Sequence, residues 1–123
     1  MMETQLFAQN YMDSYNAGNQ MSMTTEYYHD DVESIESIPW WSTTTLVDKM
    51  KRNERYFSLN ENMKTRMHML SISGRFFSVK YEMTANDSWD WSDITFEEIW
   101  VFELKDWKIC KEWFFYDPPA NLA

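Results

Sequence analysis

Phe77-Ser78-Val79-Lys80-Tyr81-Glu82-Met83 puts Phe77, Val79, Tyr81 and Met83 on one side of an extended chain, with polar or charged residues between them. That strict alternation is the period of a half-buried strand, not of a helix. The pattern recurs downstream. Phe96, Trp100, Phe102 and Leu104 share one face, and Ile109, Trp113 and Phe115 share another. Ser73-Gly74, the polar stretch from Asn86 to Asp93, and Lys105-Asp106-Trp107-Lys108 separate these runs as hairpin connections. The chain after Asn62 therefore reads as three or four long antiparallel strands, which must twist.

The period changes on the N-terminal side. From Glu3 to Ala17 the residues Leu6, Phe7, Tyr11 and Tyr15 recur at helical spacing, and Gly18 follows where a left-handed C-terminal cap is wanted. A second helix is predicted from about Ser22 to His29, with Met23, Tyr27 and Tyr28 on its buried side; His29 at its end reads as a C-terminal cap ahead of an acid or a metal ligand. Asp31 to Ser37 reads as a brief strand before the turn at Pro39. Thr45 with Asp48 three residues on begins a third helix, carried by Leu46, Val47, Met50 and Phe57 and ending near Leu59.

The chain has 123 residues, enough for one core, and is expected to form a single domain over 1–123. It is 44% hydrophobic and 18% aromatic, so its apolar area is concentrated in large rings. The formal charge of -9 argues against nucleic acid and against an anionic membrane surface, both of which need a basic patch. Cys110 is the single cysteine, which excludes an intramolecular disulfide and reads as a half-buried strand thiol. Nothing approaches the ~20 apolar residues of a membrane span, and the N-terminus lacks the pattern of a secretion signal, so a cytoplasmic location is expected. Asp87, Asp90 and Asp93, around Trp89 and Trp91, lack calcium-loop spacing and read as a solvated hairpin; no metal or cofactor is expected.

Tyr15-Asn16-Ala17-Gly18, Tyr28-His29-Asp30-Asp31-Val32, the capped helix at Thr45, and the ending Trp107-Lys108-Ile109 through Phe115-Tyr116-Asp117 together resemble the nuclear transport factor 2-like superfamily, particularly its SnoaL-like and ketosteroid isomerase-related members. The resemblance covers nearly the whole chain in order. It implies an α+β fold: a cone-shaped, strongly curved antiparallel sheet with about three N-terminal helices packed on its concave face. One position departs from it. Relatives usually place a glycine where Trp107 stands, and a bulky residue suits positive φ poorly, so that turn is expected to be built differently.

The resemblance also implies a cavity, used across isomerases, dehydratases, polyketide cyclases, hydrolases and plain binding proteins. In steroid isomerase relatives a helix-one tyrosine donates to the substrate oxyanion and a first-strand carboxylate moves the proton. Those roles fall on Tyr11 and Glu36. A carboxylate in an apolar cavity is harder to ionise, which suits a general base, and a buried phenol suits an enolate. The register is open at this stage, because an inward Ile35 would put Ser37 in the carboxylate's place. The second acidic donor of those isomerases falls at Ile99 or Trp100, where no carboxyl stands.

Tyr15, Trp40, Trp41, Phe57, Trp100, Phe102 and Trp113 are the expected pocket lining; Trp40 and Trp41, after Pro39, either gate the mouth or pack over a helix. Two functions follow from such a pocket. One is binding of an apolar or aromatic compound without turnover; the other is a cofactor-independent isomerase, dehydratase or cyclase using Glu36 and Tyr11. A homodimer through the sheet is expected in either case, with Trp89, Trp91 or Phe114 as surplus rings.

Overall fold

The computed structural model describes residues 2–20, 22–59, 64–86 and 93–117. Its elements run α1 (Met2–Asn16), α2 (Thr24–Tyr27), β1 (Tyr28–Ile35), a 3-10 turn (Pro39–Trp41), α3 (Leu46–Leu59), β2 (Lys64–Ser73), β3 (Phe76–Asn86), β4 (Asp93–Lys105) and β5 (Lys108–Phe115). The α+β class and the order of helices before strands are as predicted. The stretch around Trp89 and Trp91, expected as a hairpin, lies outside the described residues.

The described strands form one sheet in the order β1-β5-β4-β3-β2. β2 to β5 pair antiparallel, whereas β1 joins β5 in parallel. The sheet is therefore mixed, with β1 and β2 as its edges, and it curls without closing. The second helix is shorter than predicted, because Tyr28 already pairs with Ile109. His29 consequently belongs to a strand, and its imidazole meets the Lys105 carbonyl instead of capping a helix.

Gly18 ends α1 as anticipated, at φ 91, with its N–H donating to the Tyr15 carbonyl and that of Asn19 to Ser14. This is the Schellman arrangement, which uses carbonyls the helix leaves orphaned. Two side chains then fix α1 across the sheet. Thr4 donates to the Gly74 carbonyl (2.8 Å), and the Asn16 amide both donates to (3.0 Å) and accepts from (2.8 Å) the Met67 backbone. α1 buries Ala8, Tyr11, Met12 and Tyr15 against the inward residues Met67, Phe77, Val79, Tyr81 and Phe102, while Leu6 is left exposed. α3 begins under the Thr45 hydroxyl, which accepts the Asp48 N–H at 3.2 Å, and lies along β1.

One irregularity changes which side chains face inward. Between the pairs Glu103↔Lys111 and Leu104↔Ile109 the register slips, so Cys110 is an extra residue on β5. Such a bulge inverts the alternation beyond it. Ile109 faces the core, but the next inward residues are Glu112 and Phe114, both buried. Trp113 and Phe115, predicted to share a face with Ile109, stand on the other side of the sheet. Phe115 is exposed there with Leu70 and Ile99, on the face through which a homodimer is expected.

The β4–β5 turn also differs from expectation. Asp106 and Trp107 both adopt positive φ, 51 and 61, as a two-residue connection matching the strand twist requires. The turn thus has the left-handed geometry that suits glycine, with a bulky residue in the strained position. Trp107 is largely exposed, so little packing offsets a left-handed conformation costing about 1 kcal/mol. Trp107→Gly should raise stability by about 0.5–1 kcal/mol, seen as a higher urea midpoint at unchanged slope. A lower midpoint would mean that the indole contributes packing which outweighs the strain.

Candidate functional site

The rings inside the sheet divide into a filled part and an open part. Phe77 and Phe102 stack at 4.7 Å between centroids, and Tyr11 packs 5.1 Å from Phe102, which closes one end. Beyond them Tyr81 stacks on Trp100 at 4.2 Å, Phe114 meets Trp100 edge-on at 4.7 Å, and Tyr15 does so at 5.8 Å. These larger rings wall a cavity of about 780 Å³ that opens past Trp40, Trp41 and Ser42.

The alternation along β1 settles the register. Tyr28, Val32 and Ser34 are buried, and Glu36, two residues further, continues that side and lines the cavity, while Ile35 pairs across to Trp113. The Glu36 carboxylate lies 3.2 Å from the Arg52 guanidinium and accepts the Tyr116 hydroxyl at 2.8 Å. Burial raises its pKa despite the opposing pull of Arg52 and Tyr116. Tyr116 is held in reach because the Ser37 hydroxyl donates to the Phe114 carbonyl (2.8 Å) and accepts the Tyr116 N–H (3.2 Å).

Tyr11 lines the same cavity and is fully buried; its hydroxyl shares a 2.6 Å hydrogen bond with that of Tyr28. Burial, reinforced by the negative charge of Glu112, pushes both phenols well above the usual tyrosine range. Both therefore act as neutral hydroxyls. Below them Lys49 pairs with Glu112, whose carboxylate also accepts the Ser34 hydroxyl at 2.6 Å. The Lys49 ammonium lies over the Tyr28 ring at 4.7 Å and the Phe114 ring at 5.5 Å. Its pKa is lowered by burial, which the charge of Glu112 only partly offsets.

Of the expected lining, Tyr15, Trp40, Trp41 and Trp100 border the cavity. Phe102 does not; it is wholly buried in the filled part of the core. Trp113 does not either, since the bulge at Cys110 turns it outward, where Lys111 lies over its ring. Phe114, expected as a surplus surface ring, takes the inward place. The Phe57 side chain lies outside the described residues.

Glu98 is the residue that sequence reasoning missed. It borders the cavity, and its carboxylate accepts the Trp100 indole N–H at 3.1 Å. Burial pushes its pKa up to about 7, against the pull of that hydrogen bond and with a further push from Glu36. A second acid does therefore stand in this wall, one or two positions before the expected Ile99 or Trp100. The signal was available, because Glu98 falls between Phe96 and Trp100 at period two. Lys49 was legible in the same way, lying between Leu46 and Met50 on the buried stripe of α3. Among the described residues no three His, Cys, Asp or Glu side chains converge on a metal position, and no helix is long and apolar enough to cross a membrane.

This geometry meets an independent finding from sequence. The SnoaL-like domain family matches residues 2–116, and the chain belongs to that family, within the nuclear transport factor 2-like superfamily. No curated protein matches the chain. Among solved structures, a candidate SnoaL-like polyketide cyclase from Mesorhizobium loti is 17% identical with a TM-score of 0.77, over 91% of this chain and 97% of that one. Another, from a Jannaschia species, is 12% identical with a TM-score of 0.77, over 94% and 86%. TerC, co-crystallized with polyporic acid, is 10% identical with a TM-score of 0.70, over 94% and 92%. Identities this low carry the fold alone.

The raised carboxyl of Glu98 ties stability to pH with a definite sign. Its folded pKa of about 7 lies above the ordinary 4.5, so the folded state holds the proton more tightly. The associated stability is complete below the ordinary carboxyl range and is lost as pH rises through 7. Between pH 5 and pH 8 unfolding free energy should fall on the order of 2 kcal/mol, and Glu98→Gln should remove most of that fall. Glu36 shifts in the same direction and should leave a smaller residual slope. Denaturant midpoints across this range measure it, and equal slopes in the two proteins would contradict the assignment.

Proposed function

We propose that the chain binds a flat apolar or aromatic small molecule in the cavity between α1, α3 and the sheet. The observation that carries this reading is the composition of the cavity wall. Tyr15, Tyr81, Trp100 and Phe114 supply broad apolar faces, while Glu36, Glu98 and Tyr116 supply a few fixed polar points. Small-molecule sites combine these two kinds of surface at about this volume. Trp40 and Trp41, both exposed at the rim, add rings that a flat ligand would cover on entry. The fold of TerC, which was co-crystallized with polyporic acid, supports the use of such a cavity for an organic compound.

A panel of bicyclic and tricyclic aromatic compounds, titrated against the protein and followed by tryptophan fluorescence, tests this. At least one should give saturable quenching, and Trp100→Ala should weaken it by about tenfold or more, as loss of a stacking wall does. A panel that never saturates the signal would remove the reading.

A second reading is favoured by the two raised carboxyls: proton transfer at a carbon acid, without a cofactor. Glu36 is the base expected for it and Tyr11 the neutral hydroxyl donor, and both border the one cavity. Glu98, with a pKa near neutrality, is better matched than Glu36 to taking and returning a proton at pH 7. The probe is tetralone in deuterated buffer. Exchange of its α-hydrogens, read by mass spectrometry, should exceed the buffer rate and drop by about a hundredfold in Glu36→Gln or Glu98→Gln. Exchange at the buffer rate in the wild-type protein would leave only the binding function.

A further inference from the structure

The charges around the cavity are unevenly matched. Glu36 has the Arg52 guanidinium and the Tyr116 hydroxyl. Lys49 has Glu112. Lys51 is exposed at the rim. Glu98 has only the indole N–H of Trp100, on one of its two oxygens; among the described residues no lysine or arginine pairs with it. A carboxylate walled by rings and lacking a cation is a costly arrangement unless something supplies the missing charge.

The rings beside it are suited to that task. Phe114 already has the Lys49 ammonium 5.5 Å and the Arg52 guanidinium 5.7 Å from its centroid, and Tyr28 has Lys49 at 4.7 Å. The walls of this cavity therefore stabilise cations through their π faces wherever the chain itself provides one. Next to Glu98 stands Trp100, stacked on Tyr81, and no cation of the described residues lies over the Trp100 ring.

We infer that the ligand of this cavity carries a basic nitrogen, seated as an ammonium or amidinium against the free oxygen of Glu98 beside the Trp100–Tyr81 stack. The inference rests on the reading of the cavity as a small-molecule site and adds the charge of the molecule it takes. An acidic ligand would meet Glu36 and Glu98 on one wall, with Arg52 and Lys49 already engaged. A neutral ligand would leave Glu98 to bind a proton instead, which fits the pKa of about 7 that burial gives it. A cation takes the place of that proton. Binding and ionisation of Glu98 are then linked, with Glu36, Arg52, Lys49, Lys51 and the phenols of Tyr11, Tyr15, Tyr28, Tyr81 and Tyr116 as the other charged or titratable groups bordering the cavity among the described residues.

Three probes of one shape separate these cases: naphthylmethylamine, naphthylmethanol and naphthoate. At pH 8 the amine should bind at least about tenfold more tightly than the alcohol, with naphthoate weakest. The amine's affinity should fall about tenfold between pH 8 and pH 6, following the ionised fraction of Glu98, while the alcohol's stays level. Calorimetry at pH 6 in two buffers of different ionisation heat should show proton release with the amine only. In Glu98→Gln the amine's advantage over the alcohol should collapse; the pH series on the wild-type protein makes the same test if that variant fails to fold. An alcohol that binds as tightly as the amine, or an amine affinity indifferent to pH, overturns the inference and leaves the cavity as a site for neutral compounds. Failure of all three probes to bind overturns both this inference and the binding function beneath it.

Discussion

Lys49 and Glu112 hold the cavity in place. Each is almost wholly buried, and together with the Ser34 hydroxyl they join α3, β5 and β1 at one point. Removing one member of such a pair strands a charge at a cost of about 3–5 kcal/mol, so the three elements are not free to drift apart. Much else follows from that junction. α3 is fixed over β1 with Arg52 one turn beyond Lys49, so the guanidinium meets Glu36 as that residue leaves β1. Burial at this junction, with the charge of Glu112 adding to it, keeps both the Tyr28 and the Tyr11 phenols neutral. A polar junction is therefore what allows an aromatic cavity to keep a defined set of hydroxyls and carboxylates at its wall.

The cavity exists because the rings change in size and direction along the sheet. Phe77, Phe102 and Tyr11 are close enough to fill the space beneath α1. Farther along, Tyr81 and Trp100 stack flat on each other, and both line the hollow. α1 reaches this second group through Tyr15 near its C-terminal end, edge-on to both Tyr81 and Trp100, and α3 is anchored separately by Lys49. An unclosed sheet with two separately anchored helices leaves a gap between them, and no large side chain of the described residues projects far enough to fill it.

Much of this was legible in the sequence. The inward series Phe77, Val79, Tyr81 and Met83 is a plain alternation in a regular strand, and the cap at Gly18 and the start of α3 at Thr45 carry local chemical signals. Trp113 could not be placed, because a bulge at Cys110 shifts the face of every residue after it and nothing in Ile109-Cys110-Lys111 marks the extra position. Trp107 misled for a different reason. The twist of the adjoining strands dictates positive φ in a two-residue turn, and the fold overrides the preference of the residue. Glu98 and Lys49 were hidden by chemistry rather than geometry: both occupy inward positions of a regular element, but charged residues are assumed to face water unless a partner is in view. The parallel pairing of β1 with β5 joins strands more than seventy residues apart and has no local signature.

The two carboxyls of the cavity wall illustrate how neighbours divide one chemistry into two roles. Glu36 and Glu98 share a ring-lined, partly dry surface, and burial raises both. Their partners differ. A guanidinium and a phenol stabilise the charge on Glu36, whereas a single indole N–H does so for Glu98, and the charge of Glu36 disfavours ionisation of Glu98. The two carboxyls of one wall therefore differ, Glu36 held toward the carboxylate by its partners and Glu98, with a pKa of about 7, left as the more readily protonated acid. Neither state is intrinsic to a glutamate; it comes from Arg52 and Tyr116 reaching one carboxyl and not the other. Those contacts depend in turn on α3 being anchored by Lys49 and on Ser37 tying Tyr116 to the end of β1. The chemical asymmetry of the site is thus a consequence of the same junction that holds the helices apart.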